Sequence, residues 1–194
     1  MSQTLFAELA AAGERWNVLD HPFYTRWSRG ELTRDELALY AGQYRHAVVA
    51  LAEAAERAGS DHAAEEREHV ALWDEFVDAV GGDAHAAPLP ETAECADAWA
   101  GDGRDELASL AALYAIEAAQ PAISETKRDG LLRFYDCDET SYFDVHAVRD
   151  VEHAAEGRAE LEARATDADV ARLVAEAERV LRANWTLLDG VSRA

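Results

Sequence analysis

The chain has 194 residues, 49% of them hydrophobic, which suits one domain spanning residues 1–194 with a full core. Its formal net charge of −21, from 39 acidic and 18 basic residues, argues against nucleic-acid binding, because such a surface repels phosphates. No basic, apolar leader and no apolar run of about twenty residues stands in it, so a cytoplasmic protein that does not enter a membrane is expected.

A first helix is predicted from Gln3 to about Asn17, broken by His21-Pro22. A short helical piece around Phe23–Trp27 leads to Gly30. Thr33-Arg-Asp-Glu36 reads as a capping box that starts a long helix towards Ala58, with Leu37, Tyr40, Tyr44 and Val48 near helical spacing. Gly59-Ser60-Asp61 should end that helix and cap the next, His62 to about Val80. A loop follows over 83–90, then a shorter helix over Glu91–Ala100 and an apolar one over Asp105–Ala119. Pro121 should kink or restart the latter, with helix resuming from Ile123 to Tyr135. Residues 136–140 form a polar turn, a long helix runs to about Ala165, and Thr166-Asp167 should cap the last, Ala168–Leu188. No segment alternates with period two. The expected fold is all-α, a bundle of about seven or eight helices.

Two features of composition bear on function. Of the 18 basic residues 17 are arginine, and Lys127 is the single lysine. Arginine cannot replace lysine where a deprotonatable amine is needed. The strong acidity fits a protein kept soluble in concentrated salt. Cys95 and Cys137 lie in no zinc or redox spacing, which argues against a disulfide framework.

The strongest local motif is His146-Ala-Val-Arg-Asp150-Val-Glu-His153, whose offsets of four and three put two imidazoles and a carboxylate on one helical face. That donor set suits divalent iron or manganese. Helix-surface histidines are common, so this motif alone does not establish a metal. A second cluster, His62-Ala-Ala-Glu65-Glu66-Arg-Glu-His69, contains a Glu-x-x-His pair (Glu66, His69) of the kind di-iron bundles project inward. His62 lies two turns before His69; Glu65 and Glu68 read as a solvated face. Glu117 is the third element. Its carboxylate sits amid Leu113-Tyr-Ala-Ile and Ala-Ala, where burial is costly unless a cation compensates it. Jointly the three elements favour a metal.

His21-Pro-Phe-Tyr24-Thr-Arg-Trp27-Ser-Arg-Gly30-Glu-Leu with Tyr40-Ala-Gly-Gln43-Tyr44 resembles the amino-terminal half of heme-oxygenase-like proteins. That superfamily includes thiaminase II, pyrroloquinoline-quinone synthase C and the di-metal oxidases. The stretch Tyr114-Ala-Ile-Glu117 through Lys127, then Tyr142-Phe-Asp-Val-His146 to His153, is more specifically similar to the chlamydial proteins associating with death domains and their bacterial relatives. The resemblance implies His69, Glu117, His146, Asp150 and His153 as ligands of two divalent metals, iron and/or manganese. It departs at the first ligand, where the family has Glu and this chain has His62. Either His62 supplies a nitrogen or Glu66 moves into the role, with one of the two expected to bind.

The same resemblance implies a para-aminobenzoate synthase that consumes one of its own tyrosines. The matching positions are Tyr24 as ring source, Tyr40 as its assistant and Lys127 as amino donor, with dioxygen and an external reductant as co-reactants. The general version oxidises a small-molecule substrate in the same cavity. A homodimer is compatible with either. Two rival readings differ in what they need. A thiaminase II-like hydrolase needs a cysteine nucleophile, yet neither cysteine falls at the expected place and Gln43 stands where those proteins commonly have Asp. A metal-free helical interaction protein would leave the inward His and Glu groups uncompensated.

Overall fold

The computed structural model describes residues 2–194, and among them there is helix and no strand. The helices are α1 (Ser2–Arg15), α2 (Pro22–Trp27), α3 (Arg34–Arg57), α4 (Ala63–Ala79), α5 (Pro90–Ala100), α6 (Glu106–Glu117), α7 (Gln120–Phe134), α8 (Ser141–Arg164) and α9 (Val170–Arg193), with one 3-10 turn over Val18–Asp20. Apart from the six-residue α2 these are eight rods, as the sequence pattern predicts. No described helix is long and apolar enough to cross a membrane.

The helix ends follow local chemistry. Thr33 and Glu36 form the reciprocal capping box. His21 caps α2 through its ring, which accepts from the Phe23 N–H at 3.0 Å, and Pro22 occupies the first turn. Two predicted caps are corrected. Helix α4 begins after His62, and the Ser60 hydroxyl contacts the His62 imidazole (2.7 Å to Nδ1) instead of capping the helix. Helix α9 begins at Val170, and the bond is reversed: Asp169 accepts from the Thr166 N–H and hydroxyl. The break predicted at Pro121 is clean. Helix α6 stops at Glu117 and α7 restarts at Gln120, so Glu117 stands at the very end of an apolar rod.

Helix α3 packs against α4, α5, α6 and α9; α8 packs against α4, α6 and α7; α9 packs against α1, α5 and α6. Three fully buried tryptophans staple the layers, each donating its indole N–H to a carbonyl of another helix. Trp27 donates to Lys127 O, Trp73 to Ala41 O and Trp99 to Val180 O. Each buries a large ring without stranding its donor. Gly59, at φ +68°, makes the reversal from α3 to α4 that a side chain there would strain. That turn delivers His62 to the end of α6.

Candidate metal centre

Helix periodicity sets out the groups. On α4, Glu66 and His69 share a face, and His62 begins it one turn earlier. On α8, His146, Asp150 and His153 share another, and α6 ends in Glu117. These faces converge. His62, Glu117 and His153 can each offer one donor atom within 4.8 Å of the others; so can Glu66, His69 and His146, and so can Glu66, Asp150 and His153. All seven residues thus form one centre with two lobes. Glu66 and His153 each fall in two of the groups. His62 and Glu66 share none of these groups.

Glu66, His69, Glu117, His146, Asp150 and His153 are buried, and only His62 is partly exposed. The His62 Nε2 lies 2.8 Å from Glu117 Oε1, and the His146 Nδ1 lies 2.9 Å from Asp150 Oδ2. With Nδ1–H donating to Asp150, the second nitrogen of His146 is left bare, the arrangement that orients a metal-binding imidazole. Five buried atoms of the cluster have no hydrogen-bond partner: Glu66 Oε1, His69 Nδ1, His146 Nε2 and both nitrogens of His153. Buried polar atoms are rarely left so, and each orphan costs about 1–3 kcal/mol. Divalent cations among three carboxylates and four imidazoles would satisfy the Glu66 oxygen and one nitrogen of each of these three histidines. The donor chemistry therefore fits a two-metal centre of oxygen and nitrogen ligands.

The electrostatics agree. Burial pushes the Glu117 carboxyl above its ordinary range, against the opposing bond from His62. Burial also pushes Asp150 upward, but the bond from His146 and the nearby His146 and His153 imidazoles more than offset it, and the group ends below the ordinary range. For His153 burial lowers the value, and Asp150, Glu117 and Glu66 together overturn that and raise it.

Beside the centre lies a second buried cluster. Lys127 on α7 is 1% exposed, and its Nζ sits 4.3 Å from the Tyr44 ring centroid, 5.3 Å from Trp73, 5.6 Å from Tyr40 and 5.7 Å from Tyr24. The Tyr24 and Tyr40 hydroxyls are hydrogen-bonded to each other at 2.8 Å. Burial raises both phenols well above the ordinary tyrosine value and drops the Lys127 amine well below that of lysine. Among the described residues no carboxylate pairs with Lys127. The sequence analysis brought Tyr24, Tyr40 and Lys127 forward together, and the structure puts them in one place.

Sequence reasoning missed what joins this cluster to the centre. The Tyr44 ring packs on Trp73 (centroids 5.1 Å apart), Trp73 on Tyr142 (4.8 Å) and Tyr142 on His146 (4.2 Å). Trp73 follows His69 by four residues and Tyr142 precedes His146 by four, so each shares a helix face with a candidate ligand. That offset was the available signal. The features of the hydrolase reading are engaged elsewhere. Cys95 is buried with its thiol pushed up by desolvation, and Gln43 spends its amide on Ala87 O and the Leu89 N–H, pinning the loop before α5.

The sequence profile of a family described as "iron-containing redox enzyme" matches residues 37–185. This chain belongs to that family. The 4-aminobenzoate synthase of Nitrosomonas europaea is 33% identical over 210 aligned positions, covering 90% of this chain and 85% of that protein. The 4-aminobenzoate synthase of Chlamydia muridarum is 28% identical, covering 97% of this chain and 90% of the relative. Among solved structures, a domain of unknown function with a heme oxygenase-like fold from Shewanella denitrificans superposes with a TM-score of 0.77 at 21% identity, covering 95% of this chain and 90% of that one. The fold is heme oxygenase-like, and the chain is an iron-containing redox enzyme with a metal cofactor.

Proposed function

We propose that this protein is a 4-aminobenzoate synthase that draws the aromatic ring from its own Tyr24 and the nitrogen from Lys127. The name its relatives carry supports the reading, and one observation carries it: the chain's single lysine is buried, without a charge partner, against the rings of Tyr24, Tyr40 and Tyr44. His62, Glu66, His69, Glu117, His146, Asp150 and His153 would hold iron, or iron with manganese, in the adjoining centre. When bound there, such metals would supply the activation of dioxygen that oxidation of the tyrosine requires.

The remaining work falls to the protein's own groups. Desolvation favours the neutral form of the Lys127 amine, the form whose nitrogen lone pair can form a bond. The Tyr40 hydroxyl fixes the Tyr24 phenol by a 2.8 Å hydrogen bond. Trp73 and Phe143 lie against the amine and Tyr142 packs on both, which keeps water from Lys127.

The test is direct. Apo-protein is loaded anaerobically with iron(II) alone or with manganese(II), then exposed to dioxygen and a reductant. The expected result is 4-aminobenzoate in no more than stoichiometric yield, with a mass change at Tyr24 and with 15N from labelled lysine in the product. Tyr24→Phe should abolish it. Product formation with an intact Tyr24 and an unlabelled nitrogen would overturn the reading in favour of an external substrate.

A further inference from the structure

The outer lobe of the centre is open on one side. A cavity of about 320 Å³ is lined by Asp61, His62, Glu117, His153, Glu156 and Glu160 among others, and no lysine or arginine lines it. Glu160 is neutralised by Arg164 at 3.4 Å. Asp61 and Glu156 have no arginine partner among the described ion pairs, and Glu156 Oε2 lies 4.0 Å from His62 Nδ1. At the inner end are both nitrogens of His153, buried and without hydrogen-bond partners. Between mouth and floor lies the His62 ring, flat on His153 and bonded to Glu117. It is the one residue of the centre that is not fully buried, with its side chain 11% exposed.

We propose that this cavity is the loading port of the centre. Asp61 and Glu156 hold a hydrated divalent cation at the mouth, and the cation then passes to His153 and Glu117 as His62 swings aside and closes over it. An opening walled by carboxylates concentrates cations and speeds their capture in a salt-dependent manner. The ring of His62 lies just before α4, held by the Ser60 hydroxyl, by Glu117 and by its stack on His153, and its remaining edge faces the cavity. The inference rests on the two-metal reading of the centre, and it concerns the route rather than the final ligands.

Uptake of cobalt(II) by the metal-free protein, followed by stopped-flow absorbance, tests it. The double variant Asp61→Asn/Glu156→Gln should slow second-order uptake at low salt by about threefold or more, with a weaker salt dependence and an unchanged final ratio of metal to chain. Glu8→Gln/Glu14→Gln, which removes the same charge from the exposed face of α1, is the control and should load like the wild type. Equal loading rates in the double variant and the control would overturn the port while leaving the centre standing. A wild-type protein that takes up no cobalt at all would overturn the centre, and the port with it.

Discussion

The imidazole of His62 lies flat on that of His153, with ring centroids 3.6 Å apart and planes within 2° of parallel. The contact joins the start of α4 to the middle of α8 across the outer lobe, and His62 also reaches Glu117 on α6. His62 belongs to one donor group, whereas Glu66 belongs to two. Their removal should therefore differ in kind. His62→Ala should lower bound metal from two equivalents per chain towards one, and Glu66→Ala should weaken both sites. His62→Glu, which restores the carboxylate the resemblance places there, should keep two. Elemental analysis after desalting reads this out, and two tightly held equivalents in His62→Ala would exclude the residue as a ligand.

Lys127 sets two effects against each other. Five aromatic faces surround its nitrogen and favour the ammonium by about 2 kcal/mol or somewhat more, whereas complete desolvation without a counter-charge costs several times that. Desolvation wins, and the folded value falls well below 10.5. Between those two values the unfolded chain binds the extra proton, so this group makes stability rise with pH. Because the chain has a single lysine, ¹³C-lysine labelling gives one side-chain signal, and its titration should lie well below the ordinary lysine range. Lys127→Met should flatten that rise and stabilise the metal-free protein at neutral pH by about 1 kcal/mol or more. A signal titrating near 10.5 would remove the basis for the amine's role.

Much of this was legible in the sequence, and the rest was hidden for a physical reason. His146, Asp150 and His153 announce a common face by spacing alone, and Glu117 announces itself as a carboxylate in apolar surroundings. Spacing within one helix says nothing about which other helix that face will meet. For that reason the sequence could not say that His62 would meet Glu117 and His153 while Glu66 would meet His69, His146, Asp150 and His153. Trp73 and Tyr142 read as ordinary core, because a ring that fills a bundle and a ring that links two buried clusters leave the same pattern. Ser60 read as a helix cap by composition, and the histidine two residues on takes its hydroxyl instead.

Away from the centre, the start of α3 carries an acid-sensitive contact. Arg26 grips Glu36 with two bonds, at 2.6 and 2.9 Å, and the Thr33 N–H adds a third; together they hold the Glu36 carboxyl at about 2 instead of 4.5. A depressed carboxylate contributes stability that is complete above its unfolded value and is lost as pH falls from 4.5 towards about 2. The pair is a third exposed, so solvent screening leaves about 1–2 kcal/mol. Arg26→Met should move the acid transition of the metal-free protein, followed by far-UV circular dichroism, to higher pH. It should leave the stability difference from wild type smaller below pH 2 than at neutrality.

The contact that seats α7 can be tested with one substitution made at two places. A Cβ on Gly130 would lie 2.4 Å from Trp27 Nε1 and 2.5 Å from its Cδ1, and that indole is fully buried and bonded to Lys127 O. No rotation of so enclosed a ring clears the clash, so α7 must move away from α2 and take Lys127 with it. Gly130→Ala should therefore destabilise by about 1–3 kcal/mol, even though alanine is the better helix former. Gly13 in α1 has nothing within 4 Å of a Cβ, so Gly13→Ala should stabilise by about 0.5–1 kcal/mol. Urea unfolding of the two variants decides the matter. Opposite signs show that Trp27 meets the backbone of α7 at a position only glycine fits, whereas a stabilised Gly130→Ala would mean that the helix tolerates displacement.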